Sequence, residues 1–264
     1  MADSEGDSSP WSKHLLACDD PSPVIVTNPG GSSPLLVIGD HAGRAIPASL
    51  GGLGVGPEVM DLHIALDIGV QALGERLAAA LDAVFVSQAY SRLVIDCNRD
   101  PAHPTSIPEV SDGVVIPGNA GLSAADAAAR RAEILDPYQA ALAAELDRRA
   151  GRRCLLLSLH SFTPAMQGIA RPWRLGVLHR DDSAFSRRTL ALLQAALGDE
   201  AGDNQPYTMN EQDYTVPLHA DARGLDYLEL EVRQDLIADA AGVESMAAFL
   251  APLLAQAALT DLEG

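Results

Sequence analysis

His41 and His160 are the residues from which chemistry is most readily built. Each comes at the end of a short apolar run: Pro34-Leu35-Leu36-Val37-Ile38-Gly39-Asp40-His41 and Leu155-Leu156-Leu157-Ser158-Leu159-His160. Apolar runs this short, with little polar alternation, fit central strands covered on both faces. A histidine at the end of such a strand arrives where open α/β sheets bind ligands, beyond the strands' carboxyl ends. Two imidazoles delivered to one sheet edge suit a divalent cation, and catalytic zinc takes three protein ligands and a water. The third ligand is sought in His63-Ile64-Ala65-Leu66-Asp67. On a helix this four-residue spacing puts His63 and Asp67 on one stripe, so either could serve, with Asp67 preferred. The plain alternative for each is a structural strand-end histidine or a solvated polar residue.

Acid–base and anion-binding candidates follow. In Tyr227-Leu228-Glu229-Leu230-Glu231-Val232-Arg233 a period of two puts Glu229 and Glu231 on one face. An edge strand with a wet face would show the same alternation. On a central strand, one of these glutamates faces the cation and can move a proton from water to a leaving nitrogen. Asn98-Arg99 closes the apolar Leu93-Val94-Ile95 run, and an arginine fork binds a carboxylate through two hydrogen bonds. Arg92 and Arg171 are further anion-binding candidates, and His219 is a candidate to reach the site from a loop. No GxGxxG, Walker, GxSxG or HExxH pattern is present.

The elements that must position these residues alternate. Strands are expected at 24–28, 35–38, 83–87, 93–95, 155–160, 174–179 and 227–233. Helices are expected at 57–81, at 123–149 with Ser123 as cap and Pro137 bending or dividing it, at 183–197 and at 244–259. The Pro- and Gly-rich stretch 102–122 reads as a functional loop, a candidate lid, and 207–222 as loop-rich. The pattern predicts one α/β domain of three layers, a mostly parallel mixed sheet between helices, spanning 21–264 behind a flexible segment 1–20.

Composition narrows the partners. With 264 residues, 47% of them hydrophobic, the chain can bury a large core. A formal net charge of −18 argues against nucleic acid or an anionic membrane, though one local arginine can still attract a small anion. Three widely spaced cysteines and no basic-apolar leader point to a disulfide-free protein of the cytoplasm. No apolar run is read as reaching the roughly 20 residues that cross a bilayer.

Several blocks, in order, resemble the N-formylglutamate amidohydrolase family. They are Gly39-Asp40-His41-Ala42-Gly43, His63-Ile64-Ala65-Leu66-Asp67-Ile68-Gly69, Tyr90 to Arg99, Asp112-Gly113-Val114-Val115-Ile116-Pro117-Gly118-Asn119, Leu159-His160-Ser161-Phe162-Thr163-Pro164 and Glu231 to Ile237. The family is similar to the zinc carboxypeptidases and aspartoacylases, which implies their fold and one zinc, or another divalent metal. By this resemblance His41 and His160 match the histidine ligands, Asn98-Arg99 the pair that holds the substrate carboxylate, and Glu231 the general base acting on a metal-activated water. The carboxypeptidase ligand glutamate, three residues after the first histidine, is replaced by Arg44, so the acidic ligand is expected at Asp67. The implied reaction is amide hydrolysis of an N-formyl or other N-acyl amino acid. Catalytic roles are expected for Glu231, Arg92 and His219, and substrate binding for Asn98, Arg99 and Arg171. Hydrolysis of a peptide or imide, or a non-catalytic member binding a small anion or a protein, would use the same fold.

Overall fold

The computed structural model describes residues 14–180, 183–210 and 212–259. Eleven strands and six α-helices are described: β1 (Val24–Thr27), β2 (Leu35–Gly39), α1 (Val70–Leu81), β3 (Val84–Gln88), the hairpin β4 (Val110–Ser111) and β5 (Val114–Val115), α2 (Ala124–Arg130), α3 (Asp136–Arg148), β6 (Leu155–Phe162), the hairpin β7 (Ala165–Met166) and β8 (Ile169–Ala170), β9 (Leu175–Leu178), α4 (Ala184–Leu197), β10 (Ala201–Asp203), α5 (Thr215–His219), β11 (Asp226–Arg233) and α6 (Ala240–Leu259). Seven strands form one sheet in the order β1-β3-β2-β6-β11-β9-β10. The middle of it, β3, β2, β6 and β11, is parallel, while β1 and the β9–β10 pair run against their neighbours.

Apolar side chains from alternate residues fill both faces of the sheet. Leu35, Val37, Phe85, Leu157, Leu159, Leu228 and Leu230 pack with residues of α1, α4 and α6. Leu36, Ile38, Val84, Val86, Leu156 and Tyr227 pack against Tyr138, Leu142 and Leu146 of α3 and against the buried segment 89–97. The layers are therefore helix, sheet, helix, as the alternation of elements implies.

Four expectations need correction. The span 57–81 is not one helix: a short 3-10 turn, Pro57–Asp61, precedes a bend, and the α-helix starts only at Val70. The apolar Leu93-Val94-Ile95 is not a strand but a buried turn whose Val94 carbonyl accepts from the Arg130 guanidinium. Most of the segment 1–20 lies outside the described residues, but 14–20 is docked: Leu15 is buried, and Glu133 accepts the backbone N–H groups of Leu15 and Leu16. Finally, α6 is, by length and composition, apolar enough to cross a membrane. It packs Val243, Met246, Leu250 and Leu254 into the core beside α1 and α4, as a core helix does.

The strands expected at 24–28, 35–38, 83–87, 155–160, 174–179 and 227–233 and the helices expected at 183–197 and 244–259 are present with ends shifted by up to four residues, whereas the two hairpins, β10 and α5 are not among the expected elements. Ser123 caps α2 by accepting from the Asp126 N–H, and a π-helical turn, Arg131–Leu135, joins α2 to α3 where Pro137 enters the first turn.

Candidate metal and active site

β2, β6 and β11 lie side by side, with Leu35 opposite Leu155 and Glu231 opposite His160. Leu155, Leu157 and Leu159 point to one face of the sheet, so Ser158 and His160 point to the other. The same alternation puts Glu229 and Glu231 on that face. β11 is a central strand, flanked by β6 and β9, and both glutamates are buried. β6 runs two residues beyond His160, so this histidine sits within the strand and not at its tip.

His41 lies just past β2. The chain must turn closely there: a Cβ on Gly43 would collide with the Ala89 backbone, so glycine is required for approach and not for a positive φ. Asp67 sits in the bend before α1, not on a helical stripe with His63. Its own N–H donates to the His41 carbonyl (2.9 Å), and Arg92 N–H donates to the Ala65 carbonyl (3.2 Å). Gly69, at φ 82°, lets the chain enter α1 immediately afterwards.

His41, Asp67 and His160, all buried, each offer one ligand atom, and these atoms lie within 4.8 Å of one another. The two rings stand 5.0 Å apart in an edge-on arrangement. His41 Nε2–H donates to Asp96 Oδ1 (2.7 Å), which leaves Nδ1 facing inward. That Nδ1 is buried and makes no hydrogen bond; Asp67 Oδ2 is 3.5 Å away. His160 Nδ1–H donates to the same Asp67 Oδ2 (2.9 Å). Two imidazole nitrogens and a carboxylate oxygen around one point are the donor set of a catalytic zinc or a similar divalent ion, and the orphaned His41 Nδ1 fits that use. The carboxylate behind His41 adds the outer support that ligating histidines ordinarily have.

Charge is dense here. Burial disfavours the Asp67 anion, but His41 and His160 outweigh it and hold its pKa far below the usual carboxylate range. Burial likewise opposes the His160 cation, yet the Asp67 hydrogen bond raises its pKa to about 10. Arg92 donates to Asp96 Oδ2 (2.7 and 3.2 Å) and reaches Asp67 Oδ1 at 3.4 Å, so it remains protonated. Burial pushes Glu231 up to about 7 and Glu229 up to about 8, and each keeps one oxygen without a hydrogen bond.

A cavity of about 550 Å³ opens over this cluster. Arg92, Asn98, Arg99, Glu229, Glu231 and Tyr207 are among the residues that line it. Arg99 donates to the Gln212 carbonyl (2.9 Å), and the Asn98 side-chain oxygen accepts from the N–H groups of Tyr214 and Thr215 (2.9 Å each). Arg171 is set back behind Tyr207, whose hydroxyl accepts from it at 3.0 Å and whose ring lies 4.8 Å below its guanidinium. His63 is at the mouth, 3.4 Å from Asp112 in the β4–β5 turn, so the 102–122 stretch does reach the opening. Arg44 turns outward to Asp61 (2.7 Å) and takes no part.

The expectation for His219 is not met by its position. It is buried in α5, bonded to Gln139 Oε1 of α3 (2.7 Å), and does not line the cavity, because α5 packs it against α3. Reading the sequence also missed Asp96 and Asp40. The signal for Asp96 was a carboxylate inside the Ile95-Asp96-Cys97-Asn98-Arg99 cluster; for Asp40, its place next to His41.

Comparison with known proteins bears on the family and the fold. A search of curated proteins returns no match. The crystal structure of gene product Atu2144 from Agrobacterium tumefaciens superposes with a TM-score of 0.88 at 32% identity, over 92% of this chain and 97% of that one. The N-formylglutamate amidohydrolase from Ralstonia eutropha JMP134 superposes with a TM-score of 0.66 at 22% identity, over 90% of this chain and 97% of that one. The sequence model of the N-formylglutamate amidohydrolases matches residues 33–238, the span that carries both histidines and Asp67. The chain belongs to the N-formylglutamate amidohydrolase family and is a hydrolase of non-peptide C–N amide bonds.

Proposed function

We propose that this protein is a metal-dependent, most simply zinc-dependent, amidohydrolase that cleaves N-formylglutamate or a close N-acyl amino acid into the free amino acid and the carboxylic acid. The observation that carries the reading is the convergence of His41 Nδ1, Asp67 and His160 Nδ1 on one buried point beneath the cavity. When bound there, a divalent cation supplies a Lewis acid for the amide carbonyl and acidifies a water. The other tasks fall to the chain itself.

Glu231 takes the proton from the attacking water and returns it to the leaving nitrogen. Glu231 lies directly opposite His160 in the β6–β11 register, while Glu229 lies two residues earlier, opposite Ser158, which supports that role for Glu231 over Glu229. Arg92, clamped by Asp96 and Asp67, lines the cavity with its charge fixed, and faces the negative charge that grows on the carbonyl oxygen. Asn98 and Arg99 hold the substrate carboxylate, and Arg171 acts on the far side through Tyr207. Three free cysteines, two of them buried, suit a reducing compartment, and we place the enzyme in the cytoplasm on that ground.

The test is a substrate panel of N-formyl and N-acetyl derivatives of glutamate, aspartate and leucine, together with dipeptides, each assayed before and after chelation. Turnover of N-formylglutamate that chelation abolishes and metal restores is the expected result. Full turnover in chelator, or turnover of dipeptides alone, would overturn it.

A further inference from the structure

One buried acid near the cluster has no task in the reaction above. Asp40 is wholly enclosed: its side chain has 0% exposure. One oxygen, Oδ1, accepts from the Thr215 hydroxyl at 2.9 Å. The other, Oδ2, makes no hydrogen bond and lies 3.8 Å from His160 Nε2. Nε2 is the outward nitrogen of that ring, since Nδ1 is turned to Asp67. Ser158 Oγ stands 3.1 Å from the same Nε2.

An enclosed carboxylate with a free oxygen is costly unless a cation or donor compensates for it. Two groups are placed to do so: the buried Tyr138 hydroxyl, as a donor, and His160, through any positive charge the ring holds or binds. His41 already has a carboxylate on its outer nitrogen, Asp96 at 2.7 Å. We propose that Asp40 and Ser158 do the corresponding work for His160. Ser158 Oγ accepts the Nε2 proton, and the Asp40 carboxylate near it keeps that proton on Nε2, so that Nδ1, which donates to Asp67 in the metal-free protein, can give up its proton and turn a lone pair to a metal. Asp40 is thus a positioning residue for the ligand set, not a catalytic one. Thr215 keeps it in place: α5 is tied to the β2 end through this one hydroxyl, which also reaches the Cys97 carbonyl (3.2 Å) and receives a bond from Gln139 (3.1 Å).

This inference rests on the proposed metal site, and its test separates the two. Asp40→Asn keeps the shape and the oxygen that accepts from Thr215 but loses the charge. Cobalt(II) and zinc affinities are measured by chelator competition on wild type and Asp40→Asn, with the cobalt absorption spectrum of each and thermal melts of the metal-free forms. Asp40→Asn is expected to weaken both metals by about 10- to 100-fold and to shift the cobalt bands. Its metal-free melting temperature is expected to match or exceed that of the wild type, because no packing contact is removed. Ser158→Ala should lie in the same direction with a smaller loss. Unchanged affinity in Asp40→Asn with normal binding by the wild type would overturn the role given to Asp40. A fall in affinity matched by an equal fall in metal-free stability would overturn it too, since that marks a general structural role. No binding by the wild type would overturn the metal site itself.

Discussion

Substitution of Glu231 by glutamine should break the reaction and strengthen the metal-free fold at the same time. The side chain is 5% exposed, one oxygen has no hydrogen bond, and burial pushes its pKa from 4.5 up to about 7, with His160 pulling the other way. A group whose folded pKa is raised keeps its proton more firmly in the native state. Its penalty is absent below the unfolded value near 4.5 and grows as pH rises through about 7. At about 1.36 kcal/mol for each pKa unit, the buried anion costs the metal-free protein about 3 kcal/mol at pH 8. Glutamine fills the same volume without the charge. Urea denaturation in chelator should therefore show Glu231→Gln more stable than wild type at pH 8, by up to that amount, and no more stable at pH 4.5. In the metal-loaded enzyme, kcat should fall by about 10²- to 10⁴-fold or more with metal content unchanged, as for loss of a general base. Glu229→Gln should share the stability gain but keep far more activity. Turnover near the wild-type rate, or destabilisation of the metal-free variant at pH 8, would refute the reasoning.

Asp96→Ala removes the acceptor on His41 Nε2 and a partner of Arg92. Zinc affinity should drop about 10- to 100-fold and kcat should fall as well, measured by chelator competition and steady-state kinetics. Arg99→Ala should raise KM for N-formylglutamate more than it lowers kcat, and Arg99→Lys should restore little, because an ammonium cannot replace a two-pronged fork. Gly69 holds φ 82° and its missing side chain leaves room for the Ile237 carbonyl, so Gly69→Ala should cost more than about 1 kcal/mol and weaken metal binding by moving Asp67. Burial, with Arg223 nearby, lowers His219 to about 4, so the folded protein refuses a proton that the unfolded chain takes up near 6.5. Stability from this residue is full above pH 6.5 and is lost as pH falls toward 4, and His219→Gln should flatten that part of the pH–stability curve.

Much of the site was legible in strand patterning. The alternation in Tyr227-Leu228-Glu229-Leu230-Glu231 does put both glutamates on one face, and the runs before His41 and His160 are neighbouring central strands. What the alternation could not reveal was that β11 is interior. A polar face is the same pattern whether it meets water or a buried site. The bend at Asp67 was hidden for a different reason. Leu62, Ala65, Leu66, Gly69 and Leu73 keep helical spacing, but bonds from distant chain, Arg92 N–H to Ala65 and Asp67 N–H to His41, unwind the segment. Local periodicity carries no trace of such tethers. The pairing of His41 with Asp96 across 55 residues was invisible for the same reason, since it is made by the turn at 90–99, which an apolar composition disguised as a strand.

The most direct measurement is anomalous X-ray diffraction from crystals of the zinc-loaded protein, recorded on both sides of the zinc absorption edge. The account predicts one strong peak at about 2.0–2.1 Å from His41 Nδ1 and from His160 Nδ1, with an Asp67 oxygen completing the protein ligands. A stoichiometric metal peak elsewhere, or rings of His41 and His160 that turn their Nδ1 atoms away from a common point, would contradict it.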